Sequence, residues 1–189
     1  GEGGLNRFDS AAQSSSRYMH DPDDPSSLLN NKVMSIYEDT RGMFWVGTMG
    51  DGLHTMDRET GRFTRYSNDP GDPLTLSVPI PGNNIELQED CIGFGCGGVG
   101  FIYEDREGVL WIGGINSGVK RYQPGTGGIS LHNFENSNFI PNAIWSAHQS
   151  QDGTLWIGGW GGAFKVSASV NSFPLLTTSD ETFVSSISE

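Results

Sequence analysis

With 189 residues and 35% hydrophobic content, the chain has enough apolar material for one domain with a core and does not call for two. Eleven Lys and Arg against 23 Asp and Glu give a net charge of −12, which repels a phosphate backbone and an anionic bilayer, so nucleic acid and direct membrane contact are poor expectations. The 27 glycines and 11% aromatics favour short strands and tight turns over long helices, because glycine supplies the positive φ that turns require.

In chain order, Gly3 to Asp9 reads as the third strand of a four-stranded unit, and residues 1–30 as the end of that unit. This start has neither the basic end nor the apolar stretch of a signal peptide, and no apolar run nears the roughly 18 residues of a membrane helix. The chain therefore reads as a soluble piece of something longer.

Residues 31–77 form the first complete unit. The strand Val33 to Glu38 is followed by an Asp39-Thr40-Arg41-Gly42 turn, then Met43 to Thr48 with Trp45-Val46-Gly47, then Gly52 to Asp57, a Gly61 turn, and Arg62 to Tyr66. Short alternating runs bounded by Gly, Asp and Asn are strands and hairpins. The pattern returns at Ile102 to Gly113 around Trp111, and at Ala147 to Gly158 around Trp156. Those two tryptophans are 45 residues apart, the length of a propeller blade. Trp45 and Trp111 are separated by 66, which places an insertion at 78–98 between blades at 31–77 and 99–140. A further blade covers 141–178, and residues 179–189 start another.

The expected fold is all-β: a β-propeller of four-stranded antiparallel blades, present as an incomplete, open set of roughly three to four blades, since closed rings have about four to eight. Trp45, Trp111 and Trp156 recur in register and are expected in the core between blades. Asp39, Asp105 and Asp152 stand at glycine turns, where a carboxylate bonds nearby backbone N–H groups.

The stretch Ser35-Ile36-Tyr37-Glu38-Asp39 with Trp45-Val46-Gly47-Thr48 and Gly52-Leu53 resembles the two-component regulator propeller repeat. So do the loop His20-Asp21-Pro22-Asp23-Asp24-Pro25-Ser26-Ser27-Leu28 and its echo at Asn68 to Ser77. The third unit departs from the pattern, with His148, Gln149 and Ser150 where Tyr-Glu-Asp would stand. The resemblance implies a periplasmic or extracellular sensor region of a bacterial hybrid histidine kinase that binds a ligand, often a glycan fragment. The other blades of the parent chain would be its partners. No phosphate-binding glycine motif or kinase helix is present in the sequence.

Alternate turns of a blade lie on opposite faces. The turns Met49-Gly50-Asp51, Ile115-Asn116-Ser117 and Trp160-Gly161-Gly162 share a face with the long blade-to-blade loops, which makes that face the candidate for binding. Trp160 can stack on a sugar ring or pack against the next blade, with Met49, Asp51, Asn116 and Ser117 as further candidate contacts. Cys91 and Cys96 in the insertion can close a disulfide or remain free thiols, and two cysteines are too few for a structural zinc site. The four histidines are scattered, and no catalytic, metal or cofactor set is discernible. A propeller lyase or glycoside hydrolase and a protein-interaction scaffold are the alternatives to a sensor.

Overall fold

The computed structural model describes residues 3–49, 52–66, 98–114, 118–132, 144–159, 162–166 and 175–176, and every regular element among them is a strand. Strands β1 (Leu5–Asp9) and β2 (Ser14–Tyr18) pair as a two-stranded hairpin. The first blade is β3 (Val33–Glu38), β4 (Phe44–Thr48), β5 (Leu53–Met56) and β6 (Phe63–Tyr66). The second is β7 (Val99–Glu104), β8 (Leu110–Gly114), β9 (Val119–Gln123) and β10 (Gly128–His132). The third is β11 (Ile144–Gln149), β12 (Leu155–Gly159), β13 (Gly162–Val166) and β14 (Leu175–Leu176). Within each sheet the strands lie in chain order and antiparallel. The blades form an open array rather than a closed ring.

The acidic turns explain why the repeat spaces its Asp and Trp six residues apart. Asp39 Oδ1 accepts from the backbone N–H groups of Arg41 (3.0 Å) and Met43 (2.9 Å), while Oδ2 accepts from the Trp45 indole at 3.0 Å. Asp105 repeats this with Val109 N–H (2.9 Å) and the Trp111 indole (2.7 Å). One carboxylate thus closes the turn and fixes the indole. Burial opposes the charge on Asp39, but hydrogen bonds from Trp45, Arg41 and Met43 outweigh it and hold the carboxyl below its ordinary range. In the third blade Ser150 occupies this register and keeps the backbone bonds of the turn. Asp152, two positions on, supplies the carboxylate instead, accepting from Thr154 N–H at 2.9 Å and Ser150 Oγ at 2.6 Å. The Ser150 hydroxyl leads the causes that pull Asp152 down to about 2.

Between blades the core is a series of apolar seams. Trp45 and Leu53 of the first blade pack with Val99, Ile102, Leu110 and Ile112 of the second. Phe101, Val109, Trp111 and Val119 of the second pack with Ile144, Leu155, Ile157 and Phe164 of the third. Trp45 and Trp111 are buried and Trp156 is partly buried. Each buried aliphatic or aromatic side chain contributes about 1.5–3 kcal/mol, so cohesion resides mainly between sheets.

Polar contacts repeat across the same seams. Glu104 accepts from Thr40 N–H at 2.7 Å and from the Thr40 hydroxyl at 2.8 Å. One blade further on, Gln149 Oε1 accepts from Arg106 N–H at 2.9 Å. The Tyr103 hydroxyl accepts from Gln149 N–H at 3.0 Å, and the Tyr37 hydroxyl is likewise bonded by Glu104 N–H. Ser35 Oγ donates to Val99 O at 2.8 Å. The inner strands β7 and β11 therefore each cap the Asp-Gly turn of the blade before them.

The loop after β2 runs along the outer edge of β6, where Ser26 O accepts from Phe63 N–H at 2.7 Å. Arg65 donates to Ser27 O and Asp24 O, both at 2.9 Å. His54 Nε2 accepts from Leu29 N–H at 2.9 Å. The reason is physical: an outer strand carries unpaired backbone groups, and the Asp-Pro loop covers them while burying Leu28.

Candidate functional site

The inner strands β3, β7 and β11 stand side by side, and each carries an irregularity at the same point, between Val33 and Ser35, Val99 and Phe101, and Ile144 and Ser146. Such a bulge bends a strand and re-aims its side chains. Opposite it lies the glycine of each Trp-aliphatic-Gly strand. A Cβ on Gly47 would come within 2.5 Å of Val99 O and 2.3 Å of Ser35 Oγ, so only glycine admits the neighbouring strand. The bulged strands line an open groove of about 370 Å³, with Met34, Ser35, Phe101, Tyr103, Trp145 and Ser146 among its walls. Ser146 Oγ is buried there and has no hydrogen-bond partner among the described residues.

At one end of this groove, its rim, three strand ends meet three strand starts, β4 with β5, β8 with β9 and β12 with β13. Thr48 N–H donates to Gly52 O at 2.7 Å, closing the first of these. Met49 is partly buried; its N–H donates to Lys32 O at 2.9 Å, and it bridges Gly98 at the entrance to the second blade. Asp51, Asn116, Ser117 and Trp160 lie outside the described residues, as do Cys91 and Cys96.

The opposite end carries the Asp-Gly turns and the Glu38–Arg58 ion pair, at 2.6 and 2.8 Å. His54, fully buried between β5 and the Asp-Pro loop, is depressed to about 4, chiefly by burial, so its imidazole is neutral at pH 7. It accepts from Leu29 N–H through Nε2, which leaves Nδ1 facing Val46 O at 3.3 Å. His54 is therefore a structural clasp. Among the described residues no three His, Cys, Asp or Glu side chains gather as a metal site.

Trp145, Ser146 and Tyr103 were not singled out from the sequence as groove-lining positions. Each inner strand contributes few residues to the groove, and no contiguous motif results. The available signal is the residue just before the Ser35, Phe101 and Ser146 register, where all three strands bulge.

Comparison with known proteins gives three matches within the chain to the two component regulator propeller family, at residues 27–50, 93–116 and 138–161. No curated protein matches the chain. Among solved structures, it is similar to the extracellular domain assigned to the hybrid two component system BT3049 of B. thetaiotaomicron, with a TM-score of 0.65, 22% identity and coverage of 93% of this chain and 21% of that one. It is also similar to the extracellular domain assigned to the one component system BT4673 of the same organism, with a TM-score of 0.63 and 20% identity over 95% of this chain and 22% of the other. The chain thus spans about a fifth of their length, and the likeness is one of fold. Three matched repeats, each centred on an inner hairpin with its Asp-Gly turn and Trp-aliphatic-Gly strand, lead to one conclusion: this is an all-β propeller segment that carries three copies of the two-component regulator propeller repeat.

Proposed function

We propose that the chain is part of the periplasmic or extracellular sensor region of a bacterial two-component receptor, and that it binds an oligosaccharide or another small molecule without transforming it. The observation that carries this reading is the threefold match to a regulator repeat. Support comes from the similar structures, which are described as extracellular domains of signalling systems. The binding face is the rim at Met49, with Asp51, Asn116 and Ser117 as polar contacts and Trp160 as the stacking platform, backed by the groove beneath. Glycan sites combine aromatic faces with convergent polar groups. The net charge of −12 favours neutral over strongly anionic saccharides. The remaining blades of the parent protein are the partners that complete the site.

Isothermal titration of the chain with a panel of neutral and uronic-acid oligosaccharides tests this. Binding to a neutral oligosaccharide is expected in the micromolar to millimolar range. Trp160→Ala should abolish it without changing the melting temperature. Absence of binding across the panel, or binding unaffected by Trp160→Ala, would count against the assignment, and release of a cleaved product would favour an enzyme.

A further inference from the structure

The groove over the inner strands changes character at a single register. Each bulge adds one residue, Met34 in β3, Gly100 in β7 and Trp145 in β11, and all three line the groove. Packing dictates the glycine: a Cβ on Gly100 would lie 2.9 Å from Ile144 O, so a side chain there would force β11 away from β7. β7 stands between β3 and β11 and contacts both. Gly100 therefore leaves a gap in the row of side chains, with the Met34 thioether on one side and the Trp145 indole on the other.

The walls of this gap carry no charge. Every described residue that lines the groove belongs to β3, β7 or β11, and none is Asp, Glu, Lys, Arg or His. An ionised sugar would lose water here without gaining a counter-charge, which disfavours uronates and sulfate esters. Two features nevertheless call for hydrogen bonds. β3, β7 and β11 are each the end strand of their sheet, so along one edge their N–H and C=O groups have no strand partner. The Ser146 hydroxyl is buried without a hydrogen-bond partner among the described residues, whereas Ser35, at the same register, gives its own to Val99 O at 2.8 Å. A wholly apolar occupant would leave these groups unsatisfied. A neutral pyranose answers both needs, because its C–H face stacks on an indole while its hydroxyls donate and accept around its edge. At about 370 Å³ the groove lies near the lower end of ligand pockets, room for roughly one or two rings.

We propose that the groove seats an uncharged pyranose ring over Gly100, with Trp145 as the stacking platform, Met34 closing the opposite side and Ser146 Oγ bonding a sugar hydroxyl. This rests on the reading of the chain as a saccharide receptor, and it assigns the choice between neutral and charged sugars to the inner strands. Ser146 then has a signature that packing alone does not produce. A buried hydroxyl without a partner destabilises the empty protein and is satisfied when ligand arrives, so its removal relieves the fold and weakens binding.

Ligand-detected NMR titration of the chain with the methyl glycosides of glucose, galactose and mannose, and with the corresponding uronides, tests the seat. At least one neutral glycoside should bind in the millimolar range, and its uronide about tenfold more weakly or worse. Ser146→Ala should weaken the neutral glycoside about tenfold while the melting temperature holds or rises. Trp145→Ala should abolish binding. A uronide bound as tightly as its neutral parent would overturn the proposal, as would a Ser146→Ala variant that melts lower and keeps its affinity, the behaviour of a hydroxyl that serves the fold as Ser35 does. Oligosaccharide binding without any binding of single rings, or indifferent to both substitutions, would overturn the groove seat and leave the receptor reading standing. Failure of every saccharide, single ring or oligomer, would overturn both.

Discussion

The seam between the first and second blades and the bare front of the first blade are built from the same repeat, yet they differ in what each residue is doing. At the seam, Ile102 is buried in an apolar cluster and Glu104 holds the Thr40 turn through two hydrogen bonds. At the front, Ile36 faces solvent and Glu38 pairs with the exposed Arg58. The lesson is that the repeat encodes interfaces rather than isolated sheets. Identical positions acquire stability only when a neighbouring blade is present. This fits repeat architectures generally, in which each unit depends on nearest-neighbour contacts.

The largest expected effects separate these regions by burial. Ile102→Ala should cost about 3 kcal/mol in chemical denaturation, through lost transfer energy and a cavity. Ile36→Ala should stay within about 0.5 kcal/mol. Equal losses at the two sites would mean that the front is covered in solution.

A comparably large effect is expected from His54, which sits in the first blade yet belongs to neither of these surfaces. Its folded pKa of about 4 lies below the ordinary imidazole value of 6.5. At higher pH both folded and unfolded states are neutral and no difference arises. As pH falls below 6.5 the unfolded chain takes up a proton that the folded chain refuses, so stability declines until about pH 4. The shift corresponds to roughly 3 kcal/mol. Denaturation midpoints between pH 7 and pH 4 should therefore fall more steeply in the parent chain than in a His54→Gln variant. Parallel pH profiles would show that His54 does not carry this dependence.

Much of the fold is legible in the residues because the Trp-aliphatic-Gly strand and the Asp-Gly turn are local signals. Asp39 and Trp45 are neighbours across a hairpin, so their bond is written in a spacing of six. The seams are not legible in that way. Thr40 and Glu104 are 64 residues apart with an insertion between them, whereas Arg106 and Gln149 are separated by 43. No fixed spacing announces the contact. The Asp-Pro loop carries a repeat signature but no signal of its position, which is set by the donors on Arg65 and Phe63 that draw it along the edge of β6. Of the candidate site, Met49 is placed at the rim, and the groove at Trp145 and Ser146 emerges only when the three inner strands stand side by side.

The smallest effect bears most directly on whether the repeat encodes its seams. A double-mutant cycle pairing Glu104→Ala with Thr40→Ala should be run beside one pairing Glu38→Ala with Arg58→Ala, both read by denaturant unfolding. The first should show a coupling of about 1–2 kcal/mol, because a buried carboxylate receives the Thr40 hydroxyl across the seam. The second should stay below about 0.5 kcal/mol, as for exposed ion pairs generally. A coupling near zero between Glu104 and Thr40, or one no larger than that between Glu38 and Arg58, would contradict the account.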